Sequence, residues 1–336
     1  MSSAFICGCA ATVLTSDEQA LFADARPWGL ILFQRNIVSP QQVQALVAAF
    51  RAAVGDDDAP VLVDQEGGRV QRLGPPLWPS YPPARSFGAL YHGDKLAGLN
   101  AVRQVARLIA DDLHALGITA NCLPVLDVPQ PGSHPVIGDR AYADMPESVA
   151  LLAQAAIVGL MDGGVLPVIK HIPGHGRAMS DSHHELPVVD ASLAELRASD
   201  FVPFAAHAAQ PMAMTAHIVY RSIDPKTPAT LSRRVLDMVR GDIGFGGLIM
   251  TDDLSMKALT GSIGERASRA LEAGCDMLLH CNGDFAEMVE VAETAGPLAG
   301  QALARAERAR RSRRAPQPFD REQALIAMNQ LMGEPA

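Results

Sequence analysis

A chain of 336 residues that is 48% hydrophobic and 19% charged has a globular composition, and its length accommodates either two domains or one α/β barrel. Its formal charge of −9, from 28 basic and 37 acidic residues, argues against nucleic acid or an anionic membrane as partner and points to a small, locally bound substrate. Cys7, Cys9, Cys122, Cys275 and Cys281 are too scattered for a disulfide framework or a paired zinc motif, so free and mostly buried thiols in a reducing cytosol are expected.

Residues 5–14 read as a first strand, and Ser16-Asp17-Glu18 then supplies a cap and acidic first turn for a helix to about Asp24. The apolar start of the chain imitates a secretion or lipoprotein signal, but no Lys or Arg precedes Arg26. No apolar stretch approaches the roughly 20 residues of a membrane span. A cytoplasmic protein is expected. A strand at 29–33 precedes a helix opened by Ser39-Pro40, with Val43, Leu46, Val47 and Phe50 at helical spacing. A strand at 60–63 ends in Asp64 and a proline-rich excursion at 75–83.

The alternation continues with a helix at about 98–116, strand 119–126, helix 147–162, strand 165–170, helix 192–208, strand 211–217, helix 231–240, strand 247–251, helix 264–273 and strand 275–279. Eight strands alternating with helices predict an α/β fold, a TIM-type (β/α)8 barrel forming one domain over residues 1–336. An open doubly wound sheet is the alternative, because periodicity does not show closure. C-terminal helices from about 297 are expected to pack on the barrel, the first with a cationic outer face carrying Arg305, Arg308, Arg310, Arg311, Arg313 and Arg314. With no added domain and no coiled-coil pattern, a monomer is expected.

The densest chemistry follows the apolar run 165–169. Lys170-His171-Ile172-Pro173-Gly174-His175-Gly176 continues through Asp181-Ser182-His183-His184, where Pro and Gly forbid a regular helix. A solvated surface excursion is the bland reading of this loop; its load of titratable groups on a strand end favours function. His171 and His175 are four apart, but Pro173 and Gly174 between them spoil the helix that a zincin-type pair requires. Strand ends would bring Asp64, Asp127, Lys170, His171, His217 and Asp252 around one mouth. Any one carboxylate could be a cap or turn former; the set is harder to explain so. Asp252 and Asp253 are neighbours on an extended segment and should face opposite sides, one reactive and one supporting, with the pattern silent on which.

The stretches Asp64–Arg72, Ile137–Tyr142, Lys170–Gly176, Asp181-Ser182-His183 and Asp252–Met256 resemble the β-N-acetylglucosaminidases of glycoside hydrolase family 3, in the same order over roughly residues 5–300. The chain looks most similar to the single-domain bacterial type of peptidoglycan recycling, which removes N-acetylglucosamine from 1,6-anhydromuropeptides. The resemblance implies Asp252 as nucleophile, His183 as general acid/base with Asp181 as its partner, and Asp64, Arg72, Arg140, Lys170 and His171 as sugar-binding groups. His217 falls near the same pocket by its strand-end position. No metal or other cofactor is expected. Ile172 stands where the family often has Phe, and His184 sits beside the acid/base.

Histidine in place of a second carboxyl is chemically reasonable, since imidazole titrates near neutrality and an adjacent carboxylate favours its protonated form. Three rivals stand at this stage: a metal-dependent hydrolase using His171, His175, His183 and Asp252, a substrate-assisted glycosidase using Asp252 and Asp253 as a pair, and a non-catalytic sugar-binding protein.

Overall fold

The computed structural model describes residues 2–182 and 184–332. Eight parallel strands, β1 (Ser3–Cys7), β2 (Pro27–Leu32), β3 (Val61–Val63), β4 (Ala120–Asn121), β5 (Leu166–Ile172), β6 (Met212–Thr215), β7 (Leu248–Met250) and β8 (Leu278–His280), pair in chain order, with β8 returning to β1. The seam between β7 and β8 is bridged at Met250 and Met277, beside a bond from the Thr251 N–H to the Met277 carbonyl at 3.0 Å. The sheet is therefore a nearly closed barrel rather than an open doubly wound sheet.

Alternation within the strands gives the barrel two apolar layers. Ile6, Ile31, Leu62, Ala120, Leu166, Val168, Met212, Leu248 and Leu279 fill one cluster, while Phe5, Leu30, Val63, Ile169, Ala213 and Ile249 join the larger cluster beneath the surrounding helices. Those helices include α1 (Ser16–Ala25), α2 (Pro40–Val54), α3 (Ala84–Gly93), α4 (Lys95–Ala115), α5 (Pro146–Asp162), α6 (Leu193–Ala198), α7 (Val202–Ala206), α8 (Arg233–Gly241), α9 (Ile263–Ala273) and α10 (Phe285–Ala295). Reciprocal caps start α1 at Thr15 and Glu18, α6 at Ser192 and Glu195, and α9 at Ser262 and Glu265.

Several elements differ from the sequence expectation for local reasons. The first strand stops at Cys7, because the chain after Gly8 is satisfied by side chains instead of a neighbouring strand: Ala10 N–H by Glu18 Oε1 at 2.8 Å, and the Cys9 and Ala11 carbonyls by Asn36 at 3.0 and 2.8 Å. The expected strand 119–126 is reduced to Ala120–Asn121, since Pro124 has no N–H to give the ladder, and pairing resumes where Val125 bridges Lys170. The single helix expected over 192–208 is two short ones, with Pro203 opening the second; its ring excludes a helical carbonyl at Ser199. A further helix, α3, precedes the one expected at 98–116.

At the C-terminal end, α11 (Gly300–Ser312) and α12 (Arg321–Met332) turn back onto the barrel. Ala306 and Ala309 pack into the cluster of Ile6, Trp28 and Leu248, and Ala324 joins the cluster under α4. The arginine-rich face is not simply an outward cationic surface. Arg305 binds Asp276 at 2.7 Å, Arg310 binds Asp56 at 2.8 Å, Arg313 binds Asp58 and Arg308 donates to the Gly246 carbonyl at 2.5 Å, so carboxylates and carbonyls of the barrel absorb much of that charge. All five cysteines are buried and free. No helix among the described residues is long and apolar enough to cross a membrane.

Candidate active site

Beyond the C-terminal ends of the strands lies a cavity of about 290 Å³, at the lower edge of the roughly 300 Å³ from which small-molecule sites start. Asp64, Arg72, Arg140, Lys170, His171, Asp181 and Asp252 all line it. Lys170 and His171 of β5 and residues of the loops after β3, β4, β5 and β7 thus converge at one end of the barrel, as strand ends in this fold should.

One side is a dense charge network. Lys170 Nζ lies 2.8 Å from Asp64 Oδ1 and 2.6 Å from Glu66 Oε1, with its side chain only 2% exposed. Arg140 grips Glu66 with two bonds of 2.9 Å, and Arg72 reaches Asp64 at 3.3 Å while lying over the Phe33 ring at 5.3 Å. Burial alone would raise the Asp64 and Glu66 carboxyls; Lys170 and the nearby arginines overcome it, holding Asp64 below the usual carboxylate range and Glu66 down at about 2. Burial would likewise lower Lys170, but Asp64 and Glu66 raise it above the ordinary lysine range.

Asp127, fully buried after β4, organises the start of the loop that follows β5. Its Oδ1 accepts from the N–H groups of His171 and His175 at 3.2 and 2.6 Å, and its Oδ2 meets His171 Nδ1 at 2.7 Å. Against the burial penalty, His171 and His175 hold this carboxyl at about 2. A carboxylate on Nδ1 turns Nε2 of His171 into the nitrogen left to face a ligand. Further along, Arg177 pairs with Asp200 at 2.6 Å and Tyr220 donates to the Gly174 carbonyl at 2.5 Å.

Both members of the Asp-Asp pair line the cavity, against the expectation that neighbours on an extended segment face opposite sides; the strand ends at Met250, ahead of them. Asp253 accepts from Ser255 N–H at 3.0 Å, Ser255 Oγ at 2.6 Å and Cys281 N–H at 3.1 Å, so its carboxylate is spent on the turn. Asp252 is positioned through its own N–H to Thr215 Oγ1 at 3.2 Å and by the Asp253 N–H on its Oδ1 at 2.8 Å.

His217 does not line the cavity. Its ring nitrogens are engaged by Thr230 Oγ1 at 2.7 Å and the Asp253 carbonyl at 2.9 Å, and burial lowers its pKa despite Asp252 nearby. That places it behind the Asp-Asp turn. His183 lies outside the described residues. His184 is exposed and absent from the cavity lining. Among the described residues, no group of three or more His, Cys, Asp or Glu side chains is arranged to hold a metal ion.

Sequence reasoning passed over Glu66 and left Asp127 out of the binding set. Glu66 was readable, because Asp64 and Glu66 are two apart on extended chain and face one side, while Gln65 turns away to hold the Leu73 backbone at 2.8 and 3.0 Å. Arg69, which ties the β3 loop to Asp139 at 2.9 Å and the Val136 carbonyl at 2.5 Å, carried no such signal.

The profile of the glycosyl hydrolase family 3 N-terminal domain matches residues 11–311. A beta-hexosaminidase of Pseudomonas aeruginosa strain LESB58 is 42% identical over 81% of this chain and 80% of its own length, and one of Alkalilimnicola ehrlichii is 40% identical over 82% and 79%. Among solved structures, NagZ from Neisseria gonorrhoeae in complex with N-trifluoroacetyl-D-glucosamine superposes with a TM-score of 0.85 at 34% identity, covering 99% of this chain and 98% of that one.

Proposed function

This chain belongs to glycoside hydrolase family 3 as a β-hexosaminidase, and we propose that it removes terminal β-N-acetylglucosamine from 1,6-anhydromuropeptides in the cytoplasm, as a step of peptidoglycan recycling. The observation that carries the sugar reading is the convergence of Asp64, Arg72, Arg140, Lys170 and His171 on one cavity of single-ring size, with Asp252 on its wall. Buried, charge-assisted donors and acceptors reward each hydroxyl placed against them and are left unpaired by a ligand that lacks one.

In this reading Asp252 attacks the anomeric carbon, and the leaving oxygen takes its proton from His183, with Asp181 favouring the imidazolium. Water, deprotonated by the same imidazole, then releases the sugar with its configuration retained. Asp253 and His217 hold the nucleophile's turn rather than the sugar. Lys170, Arg72 and Arg140 line the same cavity as Asp252, and their positive charges favour the ionised form that a nucleophile needs.

The test is turnover of 4-nitrophenyl N-acetyl-β-glucosaminide, with the anomer of the first product read by NMR, followed by trapping with a 2-fluoro sugar and mapping of the labelled peptide. Retention with label on Asp252 is expected, and Asp252→Asn should lower kcat by about 10³-fold or more, as for other lost nucleophiles. Inversion, or label elsewhere, would reject the assignment. Faster cleavage of N-acetylglucosaminyl-anhydromuropeptide than of chitobiose is the expected preference.

A further inference from the structure

The roles above make no use of the His175 side chain, although it lines the cavity and is only 3% exposed. It is fixed from the barrel side. Its N–H is held by Asp127 at 2.6 Å, and its ring meets that of His171 edge-on, with centroids 5.5 Å apart and planes at 65°. The next residue lies backbone against backbone, since a Cβ on Gly176 would come within 2.0 Å of the Val128 carbonyl oxygen. The ring's far nitrogen, Nε2, lies 3.2 Å from Oγ of Ser182, on the part of the loop that returns to the cavity with Asp181.

We propose that His175 is a positioning residue whose bond to Ser182 seats the Asp181–Ser182 segment against the cavity and thereby sets where the acid/base next in the chain meets the leaving oxygen. The inference rests on the glycosidase reading and adds to it a link between the sugar-binding wall and the proton-delivering loop.

The chemistry of the ring suits a fixed strut better than a proton donor. Burial and the neighbouring His171 push the imidazole down to about 4, so it is neutral near pH 7 and carries one proton. Nδ1 is buried and has no partner among the described residues. An orphaned N–H is the rarer and costlier defect, so the proton sits on Nε2 and His175 donates to Ser182 Oγ. Contact with His171 on one edge and Ser182 on the other makes the ring a side-chain link between β5 and the returning part of the loop.

The test uses the full chain with His175→Ala, His175→Gln, Ser182→Ala and the His175→Ala/Ser182→Ala double variant. Each is assayed on phenyl and on 2,4-dinitrophenyl N-acetyl-β-glucosaminide, which do and do not need protonation of the leaving oxygen. Both alanine variants should lower kcat/KM for the phenyl substrate by about 10- to 100-fold, the scale of a roughly 1 Å misplacement. The dinitrophenyl substrate and the inhibition constant of free N-acetylglucosamine should change by less than about 3-fold, since the sugar wall is intact. The double variant should be no slower than the worse single one, because both remove the same contact. His175→Gln, whose amide N–H can stand where Nε2 stood, should recover most of the loss.

Equal losses on both substrates, or additive losses, or a Gln variant as slow as Ala while equally stable, would overturn the inference. If His175→Ala does not fold, Ser182→Ala decides by the same substrate contrast. Wild-type protein that cleaves neither substrate would instead remove the glycosidase reading, and the inference would fall with it.

Discussion

The two walls of the cavity are built on opposite plans. On the Lys170 wall, the central charges are buried against partners: Lys170 touches two carboxylates, and Glu66 is held by both Lys170 and a two-pronged Arg140. On the loop wall, the side-chain contacts between residues 175 and 182 include Arg177 on Asp200 and His175 on Ser182, and Asp200 Oδ1 is buried without a partner among the described residues. Recognition needs groups fixed before the sugar arrives, whereas a segment that must admit a leaving group and then a water gains from contacts that can be made and released. The largest test of the contrast is Glu66→Gln. It leaves Lys170 and Arg140 buried beside one fewer negative charge, and the cost of breaking such a pair is about 3–5 kcal/mol. Urea unfolding should show a loss of that order together with reduced kcat/KM. A loss below about 1 kcal/mol would mean the wall is far less saturated than its geometry implies.

Individual carboxyls around the cavity respond to pH with opposite sign. Glu66, at about 2 against an ordinary 4.5, and Asp127, at about 2 against 3.8, are depressed carboxyls. Their contribution to stability is present above the ordinary values and is lost as pH falls from about 4.5 toward 2. Asp200 is the reverse: burial raises it to about 6 from 3.8, with Arg177 holding it from rising further. A raised carboxyl favours the folded state most while protonated, so its contribution declines as pH rises from about 4 to about 6. Asp200→Asn should therefore match wild type in Tm near pH 4.5 and gain on it by a few degrees at pH 7.5. An unchanged difference across that range would show that the Arg177 pair, not burial, governs this carboxyl.

What the sequence disclosed follows the same division. Period and spacing were enough for eight strands and their order, because each buried strand must be apolar and each strand end polar. Closure was beyond reach, since the bridge between Met250 and Met277 joins segments whose pattern is the same in an open sheet. Groups at strand ends, such as Asp64, Lys170 and Asp252, could be placed around one mouth from spacing alone. His217 could not be told apart from them: it also ends a strand, and only its bonds to Thr230 and the Asp253 carbonyl put it behind the site. Arg140 and Arg72 come from long loops, where no periodicity tells which way a side chain turns; the family resemblance supplied them.

Depth of burial, rather than the number of partners, decides what an ionic contact contributes, and α11 offers a control outside both walls. Arg310 reaches two carboxylates, Asp56 and Asp58, as Lys170 reaches Asp64 and Glu66, but its side chain is 27% exposed where that of Lys170 is 2%. Asp56 and Asp58 precede β3, at the end of the barrel opposite the cavity. Water screens this pair and the guanidinium can be resolvated when it breaks, so Arg310→Ala should cost only about 0.2–1 kcal/mol, a shift in Tm of about 2 °C or less. Raising the salt to 1 M should erase most of that difference, because the Debye length then shrinks to about 3 Å. Neither kcat nor KM should move. A loss comparable to that of Glu66→Gln would show that the count of ionic partners outweighs their depth, and would undo the distinction between a buried recognition wall and the exposed clasps elsewhere on the barrel.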